Sequence, residues 1–358
     1  MNIIDKMPLF FLCANSCNGF VSRLQDAYSP ENDWRAYIIK GGPGTGKSTG
    51  MKKIASVLVN SGLSVELVPC TGDPGSLDAV IAPEIKVIVM DGTAPHVVEP
   101  KYIGATEYTF DFSEAFNKKL LWESRENIIK INAEISVLYK RAYKYLEAAG
   151  SLMLDNMNLQ KMSVDESKLS AFAESFAKKM LPGSRNAGSE KIRFLSAVTC
   201  RGNIFLEDTI KKLDCQKIAV CDEHGICSAE IMKQLRKTAL ERGYNIITCP
   251  CAYFPETKID HIIIPDKKIA FVTENRFFMT EESIKNIHSR RFTDVRTLRL
   301  CKEKMNFNRR TAGELLKNAS SIMAEAKVLH DTLESKYIPA VDFEMIDRIV
   351  DDIILSIL

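Results

Sequence analysis

This chain has almost no net charge of either sign. Its 48 lysines and arginines meet 46 aspartates and glutamates, leaving +2 over 358 residues. So even a balance sets up no field to gather nucleic acid or an anionic membrane, and neither partner is expected. Long hydrophobic runs are missing too: none approaches the roughly 20 residues that a bilayer-spanning helix needs. Residues 1–18 hold one early lysine and a short apolar run. They lack the charged and then long apolar pattern of a secretion signal. Ten cysteines are many, yet no two are spaced as CxxC. Without a secretion signal they are expected as reduced thiols in a cytoplasmic protein. Low-complexity tracts are absent. What remains is ordinary globular composition, 46% hydrophobic and 26% charged, in a chain long enough for two domains.

Against that background one stretch stands out: Gly41-Gly42-Pro43-Gly44-Thr45-Gly46-Lys47-Ser48. It fits the P-loop pattern G-x-x-x-x-G-K-[ST] without mismatch. Tyr37-Ile38-Ile39-Lys40 before it reads as a buried strand, and residues 49–61 read as a helix ended by Gly62. In that context the glycines let backbone N–H groups turn inward on phosphate oxygens, with Thr49 continuing the phosphate side. Lys47 is expected on the β- and γ-phosphates of ATP, and Ser48 on a magnesium ion. A chance glycine-rich turn is the bland alternative.

The chain also contains an apparent internal repeat. Slid by 181 positions, residues 35–74 fall on Gln216 to Pro255 without a gap: Gly44 on Gly225, Met51 on Met232, Gly62 on Gly243, Cys70 on Cys251. Further on the offset is 182, placing Asp78 on Asp260 and Pro83 on Pro265; upstream it is 183, placing Gly19 on Gly202. A period this long means duplicated domains rather than a solenoid. The two copies differ where chemistry is expected. Gly41, Gly46, Lys47 and Ser48 become Asp222, Cys227, Ser228 and Ala229. A loop with an acid and no lysine cannot cradle a triphosphate in the usual way. Residues kept in both copies therefore read as structural, and those found only in the first read as catalytic candidates.

That rule selects three more residues. Asp91 ends the apolar run Val87-Ile88-Val89-Met90 and becomes Thr273; it is expected to position magnesium as the Walker-B-type acid. His96, in Asp91-Gly92-Thr93-Ala94-Pro95-His96, becomes Phe278. It could orient water, act as a base or sense the γ-phosphate, or be a solvent-exposed loop histidine. Asp73 follows the second strand and becomes Phe254; it could bind an acceptor hydroxyl or merely start a turn. Asp78 is kept, so it reads as structural. Glu66 lies mid-strand and is set aside. Cys221, His224, Cys227, Cys249 and Cys251 invite a zinc reading, although their spacing matches no common finger.

Residues 113–149 read as one long helix stopped by Gly150, with Ile128, Ile131, Ile135, Leu138, Ala142 and Tyr145 at the coiled-coil period. A second helix at 163–181 would fold back on it as an antiparallel hairpin. The second half repeats the plan with Ala312, Leu315, Ala319, Ile322, Ala326 and Leu329, then Met345, Ile346, Ile349, Ile353 and Ile357. Each arm either packs, joining the halves, or closes as a lid. Residues 182–189 are small and polar and read as the linker.

With its 41–48 loop, its Asp73-Pro74-x-Ser76-Leu77-Asp78 segment and its 91–96 segment, the chain resembles an uncharacterised bacterial family of tandem P-loop ATP-binding proteins. The resemblance implies an α/β fold: two P-loop NTPase-like parallel-sheet domains, 1–182 with an arm at 113–182 and 190–358 with an arm at 306–358. It also implies ATP binding. That family's second half commonly carries a P-loop as well; this chain departs at Asp222, Cys227, Ser228 and Ala229. The expectation is one Mg-ATP site serving an ATPase, a phosphotransferase or a non-catalytic switch. Lys47 and Asp91 would serve all three.

Overall fold

The computed structural model describes residues 6–183 and 188–358, so the core of the expected linker lies outside the described residues. The first half opens with a hairpin of β1 (Cys13–Ser16) and β2 (Gly19–Ser22). Then come β3 (Arg35–Lys40), α1 (Lys47–Asn60), β4 (Glu66–Pro69), β5 (Leu77–Ala82), β6 (Val87–Asp91) and β7 (Glu107–Asp111). Helices α2 (Lys118–Glu123), α3 (Arg125–Lys161) and α4 (Glu166–Met180) complete it. The second half runs β8 (Glu190–Ile192), β9 (Ser196–Thr199), β10 (Gly202–Phe205), α5 (Glu207–Lys212), β11 (Gln216–Cys221), α6 (Ile226–Glu241) and β12 (Ile246–Pro250). It continues with β13 (Ile259–Ile264), β14 (Ile269–Glu274), β15 (Lys285–His288), α7 (Val295–Leu300), α8 (Lys302–Tyr337) and α9 (Phe343–Ile357).

Two mixed sheets carry the halves. Their orders are β4-β5-β6-β3-β7 and β8-β12-β13-β14-β11-β15, the same sequence of strands apart from β8 at one edge. The expected all-parallel sheet is corrected. β3 is parallel to β6 and β7, but β5 runs antiparallel to β4 and β6, as β13 does to β12 and β14. The cause is loop length: the segments on either side of β5 are too short for a parallel crossover. Left-handed backbone recurs at matching places: Gly19 and Gly202, Asp33 and Asp214, Gly44 and Gly225, Gly62 and Gly243, Lys86 and Lys268. The two N-terminal hairpins meet face to face, with Phe11 and Phe194 exchanging backbone hydrogen bonds of 2.9 and 2.8 Å.

The arms differ from expectation. α3 does not stop at Gly150; it runs 37 residues to Lys161, about 55 Å at the helical rise. Gly150 is there for close approach: a Cβ on it would lie 2.6 Å from the Cβ of Cys17. Nor do α3 and α4 form a hairpin. α3 packs along α8, and the seam buries Ala142, Leu146 and Ala149 with Ala312, Leu316 and Ala319. Small residues at the same spacing on both helices draw the axes together. Leu146 and Leu316 are buried in the seam, with the expected Tyr145 and Leu315 partly buried against it.

The outer helices then exchange partners. α4 buries Leu169, Ala173, Phe176 and Ala177 in the second half's core against α6. α9 buries Ile346, Val350, Ile353 and Ile357 in the first half's core against Met51, Ile54 and Leu58 of α1. Backbone bonds fix each entry point: Asp165 N–H donates to Phe292, and Asp342 N–H to Ala115. Each sheet is thus covered on one face by a helix from the other half.

Candidate functional site

The 41–46 segment links β3 to α1 with Gly44 and Gly46 at φ of 70° and 81°, conformations that side chains with a Cβ rarely take. Gly46 caps α1 without a side-chain bond. Thr45 is buried and its hydroxyl donates to the Gly42 carbonyl at 2.8 Å, pinning the loop. Lys47, first in the helix, folds back. Its Nζ donates to the carbonyls of Gly41 and Gly42, each at 2.8 Å, and lies 3.6 Å from Oδ2 of Asp91. Asp91 arrives there because β6 is the parallel neighbour of β3. Its Oδ1 accepts the Thr93 N–H at 2.8 Å, and the Thr93 hydroxyl donates to Gly41 at 3.1 Å. Ser48 Oγ accepts the Leu77 N–H at 2.9 Å, tying the loop to the start of β5. Lys47 and Asp91 are thus brought together, while Ser48 is turned to the start of β5. Pro43 is half-buried in the loop and Thr49 is exposed on the helix. Among the described residues the N–H groups of Gly44, Gly46 and Ser48 make no hydrogen bond.

The second half closes the matching place on itself. α6 starts at Ile226, right after Gly225, so the turn from β11 is shorter. The Asp222 carboxylate accepts the Ser228 N–H at 2.9 Å and the Gln160 amide N–H at 2.7 Å, while Gln160 Oε1 accepts the Ile226 N–H. An internal carboxylate thus satisfies the helix N-terminus that an external anion would otherwise use. A cavity beside it, lined by His224, Lys258, Asp260, Asn275, Phe278 and Arg309, has about 40 Å³ of free space, room for a few waters and not for a nucleotide.

His96 and Asp73 do not join the Lys47 cluster directly. His96 is buried, not solvent-exposed; its Nδ1 lies 3.3 Å from Cys13 Sγ and its Nε2 3.4 Å from Asp78 Oδ2. Asp73 faces the second half, 3.3 Å from Lys327 Nζ on α8 and 3.5 Å from Arg201. Burial alone would raise its carboxyl, but the Gly75 N–H and Lys327 outweigh that and hold it below the usual range. The zinc alternative gains no geometry: among the described residues Cys221, His224, Cys227, Cys249 and Cys251 do not gather into a ligand set, and Cys227, Cys249 and Cys251 are buried thiols. All ten cysteines are free thiols.

Three features escaped the sequence. Asp78, read as merely structural, is buried beside His96, and burial raises its carboxyl while the nearby charges of His96, Asp91 and Lys47 act on it. Its place in both halves masked the difference in its partners. Glu66 bridges the halves, 3.0 Å from both Lys191 and Arg193. The glycine-rich loop is roofed by the end of α8: a Cβ on Gly42 would lie 2.8 Å from Tyr337, and one on Gly44 3.1 Å from Ile338. No local pattern signals so distant a cover.

Comparison of the chain with protein-family profiles, with curated proteins and with solved structures finds no match. Among the described residues no helix is long and apolar enough to cross a membrane.

Proposed function

We propose that the chain is a P-loop NTPase taking Mg-ATP at one site in its first half, and that the second half is a degenerate copy of the same domain. The observation carrying this reading is the convergence of Lys47 and Asp91, 3.6 Å apart, on a glycine loop whose N–H groups remain free to bind an anion. Lys47 supplies the cation for the β- and γ-phosphates, and the loop amides supply donors at the positive end of α1. Ser48 and Asp91 supply the hard oxygen ligands that magnesium takes; the ion would neutralise phosphate charge. The matching strand order and recurring left-handed positions support the duplication. Asp222 accounts for the loss of the second site.

Hydrolysis linked to movement of the second half is favoured over phosphoryl transfer to a metabolite. Asp73, the residue that could hold an acceptor, is engaged instead by Lys327 and Arg201, and the loop carries α8 and α9 on its outer face. Phosphate bound in the loop would press on helices that reach into both cores. The test is magnesium-dependent ADP release with and without a panel of metabolites. Slow, acceptor-independent release is expected, abolished by Lys47→Ala and reduced by roughly 10²-fold or more by Asp91→Asn. Release that requires one metabolite would replace the ATPase by a kinase. Release unchanged in Lys47→Ala would remove the site.

A further inference from the structure

We propose that Cys13, Asp78 and His96 form a binding site for one zinc-class divalent cation, separate from the magnesium position. The inference does not depend on the nucleotide reading. The three side chains come from three places in the fold: β1, β5 and the loop after β6. One ligand atom from each lies within 4.8 Å of the others, and all three residues are buried. One sulfur, one imidazole nitrogen and one carboxylate oxygen make a donor set of the kind zinc takes and magnesium does not, with a fourth position left open.

The second observation is Asp78 itself. It is only 3% exposed, and its Oδ2 makes no hydrogen bond among the described residues, with only the His96 ring, 3.4 Å away, in ion-pair range. A bound cation would offset the cost of burying this carboxylate charged.

The second half provides a control within the molecule. Asp260 stands at the matching place, also buried, with Cys251 beside it. There Ser196 and Phe278 replace Cys13 and His96. A lysine does the balancing: Lys258 Nζ lies 2.7 Å from Asp260 Oδ1. Where the first half has lost the lysine, with Ser76 at that position, it has gained a thiol and an imidazole. Exchange of one cation for two metal-binding groups is what a metal in place of an ammonium requires.

Burial and the charge of Asp78 push the Cys13 thiol up, so without a cation it stays protonated. Binding would therefore release the thiol proton of Cys13 to solvent as its sulfur, a ring nitrogen of His96 and an oxygen of Asp78 donate to the ion. No redox change is involved.

The test uses the full chain, reduced and stripped of metal, titrated with cobalt(II) and then zinc in the absence of nucleotide. One cobalt per chain with a thiolate-to-cobalt charge-transfer band, displaced by zinc, is expected. Cys13→Ser and His96→Phe, the second of which copies the other half, should weaken zinc binding by at least about tenfold. Cys251→Ser and Lys47→Ala should leave the band in place, which separates this site from the nucleotide site. Lack of a thiolate band in the unsubstituted chain at excess cobalt overturns the proposal, whether or not any variant folds. So does a full-strength band in Cys13→Ser.

Discussion

Glu66 shows how much one side chain carries here. It sits in β4, buried, with Arg193 and Lys191 of the other half on its two oxygens. Burial would push its carboxyl up, but Arg193 and Lys191 more than offset this and hold it below its ordinary value. A depressed carboxyl contributes stability above its unfolded pKa, about 4.3, and loses that contribution as pH falls through the lower folded value. Glu66→Gln leaves Arg193 buried without its counter-charge, a change that costs about 3–5 kcal/mol. The melting temperature of Glu66→Gln should therefore fall well below the parent's at pH 7, and the gap should narrow as pH drops below about 4. A gap independent of pH would mean that the pair contributes nothing. Asp222 makes the matching point for local structure, since its carboxylate caps the N-terminus of α6.

At the scale of elements, two glycines in the long helices give opposite predictions. Gly150 in α3 touches Cys17, so Gly150→Ala forces β1 and α3 apart and should destabilise by about 1–3 kcal/mol. Gly313 in α8 has open space around its Cβ position, so Gly313→Ala should stabilise by about 0.5–1 kcal/mol through helix propensity. Thermal or denaturant unfolding of the two variants measures both; the same sign for both would contradict the seam. This pair also marks what the sequence could tell. Gly150 looks like a helix stop because glycine is a weak helix former, and only a neighbour far off in sequence, Cys17, reveals its packing role. Strand β3, helix α1 and the strand ending at Asp91 were legible, because hydrophobic runs and the glycine pattern are local. The antiparallel course of β5 was not, since its apolar run reads the same in either direction. Nor was the exchange of α4 and α9, because an amphipathic stripe such as Ile346, Val350 and Ile353 says that a helix is covered and not by what.

The whole molecule is best understood through that exchange. α9 completes the first core and α4 the second, while α3 and α8 run between them. Neither half buries its own sheet alone, so each half is a structural partner of the other. The roof of Tyr337 and Ile338 over Gly42 and Gly44 makes the first half's loop the place where a ligand would be felt by both. The central claim is one nucleotide site per chain, at Lys47. Calorimetric titration of the full chain with ATP and magnesium tests it most directly. The account predicts one equivalent bound, lost in Lys47→Ala and retained in Ser228→Ala. Two equivalents, or binding that survives Lys47→Ala, would contradict it.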